Sequence, residues 1–145
     1  MTNSNVINAL KSALADSYVL YIKTQNYHWN VTGPNFKSLH LMFEEQYNDL
    51  FAAVDIIAER IRALGEKAPG TYAKYIELTS LKEGDENSDA NAMVKDLATD
   101  QDSIVKTLTH VLAKAQEIGD EVTAGIVTDR IEVHQKNAWM LKSSI

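Results

Sequence analysis

Apolar side chains recur every three or four residues in four long runs, separated by the few positions able to stop a helix. The first run covers about Asn5 to Asn30, where Val6, Leu10, Leu14, Tyr18 and Tyr21/Ile22 keep helical period. It breaks at Val31-Thr32-Gly33-Pro34-Asn35, because proline cannot continue a helix and restricts the residue before it. The second run takes in Leu39, Met42/Phe43, Leu50, Val54, Ile57, Ile61 and Leu64, with Gly65 placed as a left-handed stop. The third starts from an N-cap at Ser88, passes Met93, Leu97, Ile104, Leu108 and Leu112 to Ile118, and stops at Gly119. The fourth, capped by Asp120, passes Val122, Ile126, Ile131 and Trp139 to about Ser143. Gly125 is its weak point, costing about 1 kcal/mol against alanine in a helix interior.

Glu66 to Asn87, between the second and third runs, is irregular. Pro69-Gly70 signals a turn, and Thr71 to Leu81 has room for one short helix. A strict up-down bundle would not need so long a connection. No strand pattern, internal repeat or low-complexity segment interrupts the helical period. The expected fold is all-α: one domain over residues 1–145, with four long helices and a short helix in the crossover between the second and third.

A length of 145 residues with 45% hydrophobic and 23% charged side chains suits one domain with a real core and excludes a disordered chain. There is no cysteine, so any bound metal must use nitrogen and oxygen ligands, which favours Fe(II), Mn(II) or Zn(II). The net charge of −6 repels nucleic acid on average, and the first basic residue is Lys11. No signal-peptide pattern opens the chain, and no apolar run approaches the roughly 18 residues of a membrane span. A soluble cytoplasmic protein with no membrane contact is expected.

Chemistry concentrates on the second helix. His40 with Glu44, and Asp55 with Glu59, are each spaced i, i+4, so each pair projects from one face, one turn apart. At about 100° per residue both pairs share that face, yet eleven residues separate Glu44 from Asp55 by roughly 16 Å. One chain cannot bring them to one ion, whose bonds measure about 2 to 2.5 Å. Two copies of the helix packed antiparallel across a two-fold axis could. The numbers of facing residues would then add to a constant, and 40 with 59 and 44 with 55 both add to 99. His40-Glu44 of one copy would lie against Asp55 and Glu59 of the other, twice per dimer, with the axis near Asp49 and Leu50.

The competing reading is a solvated ion-pair face, which normally alternates acids with Lys or Arg. Between Leu39 and Ile61 the only base is Arg60, against Glu44, Glu45, Asp49, Asp55 and Glu59. Such acidity beside Phe43, Leu50, Phe51 and Val54 is costly unless cations or water compensate it. His28 is a further candidate ligand, because the tight turn after it folds the second helix back and could bring it near His40. Trp29 is expected to pack, although an indole beside an oxidising metal could also give up an electron. His110 and His134 lack comparable pairing and are expected to be ordinary helix-surface or interface residues.

These residues resemble the Dps family (DNA-binding proteins from starved cells) of the ferritin-like superfamily. The likeness lies in Gln25-Asn26-Tyr27-His28-Trp29-Asn30-Val31-Thr32-Gly33-Pro34-Asn35-Phe36, then Leu39-His40, Phe43-Glu44 and Asp55-Ile56-Ile57-Ala58-Glu59-Arg60-Ile61. It extends to Trp139-Met140-Leu141 and so covers essentially the whole chain. The resemblance implies a ferritin-like four-helix bundle assembled as a hollow dodecamer in the bacterial cytoplasm, in some members with the nucleoid. It implies ferroxidase centres at two-fold interfaces, with His28, His40 and Glu44 from one subunit and Asp55 and Glu59 from its mate. The often-quoted pattern has Asp where Glu44 stands. The implied reaction is oxidation of Fe(II), preferentially by hydrogen peroxide, with Fe(III) mineral stored in the cavity and protection against oxidative damage. The family's three-fold pore points to Asp120, Glu121 and Asp129 as lining candidates; helix capping explains Asp120, and dipole compensation Glu121, equally well.

Ordinary ferritins place the site inside one bundle, commonly with Glu-x-x-His, a motif this sequence lacks. The alternatives are a non-catalytic DNA-compacting or scaffold cage, and a di-manganese bundle with its ligands inside one subunit. Neither the opening Met-Thr-Asn-Ser-Asn-Val nor the closing Leu-Lys-Ser-Ser-Ile holds the cation cluster that phosphate neutralisation requires. DNA binding should therefore be weak or absent at physiological salt near neutral pH, and a tight complex in a gel-shift titration would contradict this.

Overall fold

In the computed structural model, which describes residues 2–145, all four long runs are helical. In chain order the helices are α1 (Ser4–Asn30), α2 (Phe36–Ala63), α3 (Tyr72–Leu78), α4 (Ala90–Glu117) and α5 (Glu121–Lys142). The short α3 occupies the crossover where the turn signals leave room for it. No strand occurs among the described residues. α1 packs against α2, α3 and α4, α4 packs along α5, and α2 meets α5 to close the bundle.

The period of each run decides what is buried. Leu10, Leu14 and Leu20 of α1, Phe43, Leu50, Ile57 and Ile61 of α2, and Met93, Leu97, Ile104 and Leu108 of α4 are fully buried. Each contributes roughly 1.5–3 kcal/mol relative to exposure. The α5 contribution is thinner, with Val127, Ala138 and Leu141 as its buried apolar residues. Three reversals use glycine at positive φ, namely Gly33 (+116°), Gly65 (+108°) and Gly119 (+71°), where a side chain would be strained.

Two polar anchors hold the crossover. Asp16, buried in α1, accepts from Thr79 Oγ1 at 2.7 Å, from Ser80 N at 2.8 Å and from Thr107 Oγ1 at 2.7 Å. A buried carboxylate is tolerable when its lone pairs are taken in this way. Further along α1, buried Lys23 lies 3.0 Å from Asp96 and 2.8 Å from Asp100, and the Tyr27 hydroxyl donates to Asp96 at 2.6 Å. Burial pushes the Asp100 carboxyl above its ordinary value, against the opposing pull of Lys23. Gly84 lies directly on this anchor, since a Cβ there would stand 2.9 Å from the Tyr27 ring and 3.0 Å from the Lys23 side chain.

The fold departs from expectation at identifiable points. The N-cap of α4 is Asp89, whose carboxylate accepts from Ala92 N at 2.8 Å. Ser88 instead belongs to the preceding turn, its N–H donating to the Asp85 carbonyl. Trp29 and Trp139 keep 65% and 64% of their surface exposed, and Ile22 and Val122 are exposed as well. A spacing of three or four read along the sequence does not fix the rotation of the helix, and these positions fall beside the core stripe rather than on it. His134 is fully buried rather than on a surface. No helix among the described residues is long and apolar enough to cross a membrane.

Gly84→Ala should lower stability by about 1–3 kcal/mol, the usual cost of overpacking, and displace Tyr27 from Asp96. Gly125→Ala, with open space around the added methyl, should raise it by up to about 1 kcal/mol. Denaturant midpoints of the two variants against wild type provide the check.

Candidate metal centre

The site begins with the chain reversal after α1. Val31 leaves the helix in an extended conformation while its N–H still bonds the Tyr27 carbonyl. Gly33 then turns the chain, and its carbonyl accepts from Phe36 N at 3.1 Å. α2 is thereby folded back on α1, and His28 and His40, twelve residues apart, meet. Their rings stack with centres 3.8 Å apart and planes 11° from parallel.

Each ring is tied to the other residue's backbone. His28 Nδ1 lies 2.7 Å from the His40 carbonyl, and His40 Nδ1 lies 2.6 Å from the His28 carbonyl. A carbonyl only accepts, so both Nδ1 atoms carry the proton and donate. Both Nε2 atoms are left with free lone pairs, the arrangement in which imidazole ligates a metal. Phe36 stacks over His40 at 5.0 Å and Tyr47 meets His28 edge-on at 5.2 Å, fixing the rings from either side.

Glu44 follows His40 by one turn and is half-buried, whereas Asp55 and Glu59, further along the same face of α2, are exposed. Asp55 holds the Glu59 carboxyl above its ordinary value through a shared hydrogen bond and through like charge. Such a pair is relieved by a cation. Among the described residues no three His, Asp or Glu side chains of one chain come close enough to hold a metal. The five candidates therefore stand as two separate groups, His28-His40-Glu44 and Asp55-Glu59. Apolar side chains are exposed between and beside them: Leu41 at 44%, Phe51 at 66% and Ile56 at 51%. A face that mixes acids with exposed apolar groups is dressed for contact with another surface.

Deeper in the bundle, by contrast, the charged groups pair with one another. Arg130 of α5 reaches Asp49 of α2 through two bonds of 3.1 and 2.8 Å. The same guanidinium stands 3.1 Å from His134 Nε2, and His134 Nδ1 stands 2.6 Å from Gln101 Oε1 of α4. Arginine only donates, so His134 accepts at Nε2 and donates at Nδ1. Both its nitrogens are engaged, and it is no ligand. Burial, reinforced by the Arg130 charge, lowers its pKa to about 3. Nothing in residue spacing had linked Asp49 to Arg130. The signal for His134 was its place four residues after Arg130, on the same face as Val127, Ala138 and Leu141.

The pore candidates divide. The Asp120 side chain caps α5 by accepting from Thr123 N at 3.0 Å, and it pairs with Arg60 at 3.0 Å. Burial pushes its carboxyl up, but the hydrogen bonds from Thr123 and the charge of Arg60 outweigh this and hold it below the ordinary value. Glu121 and Asp129 are exposed on α5.

The Ferritin-like domain family matches residues 7–145. The chain is 36% identical to DNA protection during starvation protein 2 of Bacillus anthracis, covering 97% of each chain. Among solved structures it superposes on Dps from Staphylococcus aureus with a TM-score of 0.95 at 36% identity, covering 99% of this chain and 96% of that one. Dps of Vibrio cholerae, described as a member of a broad superfamily of ferritin-like diiron-carboxylate proteins, matches with a TM-score of 0.91 at 33% identity, over 95% of this chain and 87% of that one.

The buried His134 sets a pH dependence. Its pKa in the folded state, about 3, lies below the ordinary 6.5. Above pH 6.5 neither state binds the proton; below it the unfolded chain does and the folded one does not. Stability is therefore fully present above pH 6.5 and falls by about 1.4 kcal/mol per pH unit toward pH 3. His134→Gln should unfold with about one proton less taken up over this window, measured as a shallower dependence of the denaturation midpoint on pH.

Proposed function

Because the chain belongs to the Dps family of the ferritin-like superfamily, we propose that it is a ferroxidase and iron-storage cage acting at sites shared between two subunits. The observation that carries this reading is the stacked histidine pair with both Nδ1 atoms spent on backbone carbonyls and both Nε2 atoms free. It shares a face of α2 with a carboxylate pair that no basic side chain answers. A second copy of α2, antiparallel across an axis near Asp49 and Leu50, brings Asp55 and Glu59 of one subunit against His28, His40 and Glu44 of the other. Twelve subunits around a cavity give the cage of the family.

The ligand set fits the reaction. Neutral imidazoles tolerate Fe(II), while carboxylates are hard anions that favour the more highly charged ferric product. Glu44 is long enough to reach between the groups where the usual pattern has Asp. Two Fe(II) held together supply both electrons needed by hydrogen peroxide, giving two Fe(III) and, with two protons, two waters. Drawing the electrons as a pair limits release of hydroxyl radical, and this is the protective element of the chemistry. The ferric product moves into the cavity as mineral. Glu121 and Asp129, exposed near the start of the last long helix, are the better placed of the pore candidates, since Asp120 is committed to Thr123 and Arg60. The acidic balance of the chain opposes DNA binding.

His40→Ala and Asp55→Ala should each lower the rate of peroxide-driven Fe(II) oxidation by at least about 100-fold, more than loss of an outer-shell partner costs. Mixing the two inactive variants distinguishes a shared site from one built within a chain. In a mixed dimer both lesions fall in one site and leave the other intact. Co-refolding equal amounts should restore about a quarter of the wild-type rate, and no recovery would exclude ligands donated across the interface.

A further inference from the structure

Beyond the histidine pair, rings continue in a line that the iron chemistry does not use. Tyr47 meets His28 at 5.2 Å between ring centres, and Tyr21 meets Tyr47 at 5.7 Å and 88°. Tyr18 meets Tyr21 at 6.3 Å and 65°, and Tyr75 stacks on Tyr18 at 4.6 Å and 14°. Three elements supply them: α1 gives Tyr18 and Tyr21 at i, i+3, α2 gives Tyr47 and α3 gives Tyr75. Packing alone asks only for rings here, and Phe51, 6.2 Å from Tyr21, serves as one. The succession of four phenols instead places an oxidisable group at every step, with no gap above 6.3 Å. Trp29, the other oxidisable ring near the histidines, forms no ring pair among the described residues and points outward.

We propose that Tyr47, Tyr21, Tyr18 and Tyr75 form a relay that carries a one-electron oxidising equivalent from the histidine-lined iron site to the stacked Tyr18–Tyr75 pair. The proposal rests on the ferroxidase reading, which supplies the oxidant. A site holding a single Fe(II) gives hydrogen peroxide only one electron, producing Fe(III), hydroxide and hydroxyl radical. Tyr47 gives its phenolic hydrogen atom to that radical, forming water and a phenoxyl radical. Tyr21 then passes one electron to Tyr47; the proton from Tyr21 leaves to solvent and solvent returns one to Tyr47. The same exchange moves the radical from Tyr21 to Tyr18, with no change in net charge. It comes to rest at the end of the line, on the stacked rings of Tyr18 and Tyr75. Tyr18 and Tyr75 flank a groove of about 380 Å³ between α1 and the crossover, so the radical ends away from His28 and His40, sparing the iron ligands.

Tyr21→Phe is the decisive variant, because it keeps the ring, removes the phenol and stands outside the ligand set. The assembled protein would be loaded with one Fe(II) per site, mixed with hydrogen peroxide and freeze-quenched. Tyrosyl radical is read by electron paramagnetic resonance, oxidised residues by peptide mass spectrometry and ferric product by absorbance. Wild type should show the radical, with oxidation marks at Tyr18 and Tyr75. Tyr21→Phe should form ferric product normally, lose those marks several-fold and gain them at Tyr47, His28 and His40. Tyr18→Phe should spare Tyr75 while leaving Tyr21 marked. Unchanged marking of Tyr18 and Tyr75 in Tyr21→Phe, with normal ferric product, overturns the relay alone. Absence of ferric product in wild type overturns the ferroxidase reading and the relay's source of oxidant with it.

Discussion

Charge neutrality inside the bundle is the constraint on which the rest of the molecule depends. Each buried charge named above is answered: Asp100 by Lys23, Asp16 by a set of hydroxyls and a backbone N–H, and Arg130 by Asp49, whose own side chain reaches the surface of α2. An unanswered charge at such depth costs several kcal/mol. Among the described residues these pairings leave no three His, Asp or Glu side chains gathered inside the bundle. The acids left without a basic partner lie instead on the outer face of α2, at Asp55 and Glu59, which is where the proposed function puts the cation.

On that face the backbone does the positioning. The reversal at Gly33 sets α2 against α1 in a register that stacks His28 on His40, and each ring is locked by the other residue's carbonyl. The lock decides the tautomer, the ring orientation and which nitrogen is free. In the proposed ferroxidase centre, two parallel imidazoles held in this way would be a pre-organised half of the site. The relay proposed for the tyrosines grows from the same packing, since Tyr47 both braces His28 and begins the line.

Much of this was legible in the sequence. The helices followed from period and stop signals, and the His40/Glu44 and Asp55/Glu59 pairs from their i, i+4 spacing. The approach of His28 to His40 was readable because Gly33-Pro34 permits only a tight reversal. What stayed hidden depends on rotation and on long-range partners. The cap of α4 lay one residue further on because two adjacent oxygen-bearing side chains compete for it, and only backbone geometry decides. Trp29 and Trp139 were read as packing residues, yet both lie on faces that the single chain leaves open. Arg130 could not be paired with Asp49, 81 positions away, until the two helices were set side by side.

Asp49 carries the two-subunit reading one step further. With facing residues numbered to a constant of 99, the two copies of Asp49 approach each other beside the axis, where like charges would repel. Arg130 removes that repulsion by meeting both carboxylate oxygens from within its own chain, so the centre of the interface is prepared by the interior. The outer ends of the same interface are not prepared: Glu59 and Asp55 crowd two carboxyl groups together with no basic side chain to answer them. A metal bound between subunits therefore adds stability to the dimer that neither subunit possesses alone, and by linkage the dimer raises metal affinity by the same factor. Assembly and iron capture are, on this reading, one equilibrium seen from two sides. A subunit free of its mate would hold iron weakly because half of the ligands, rather than the folding, is missing.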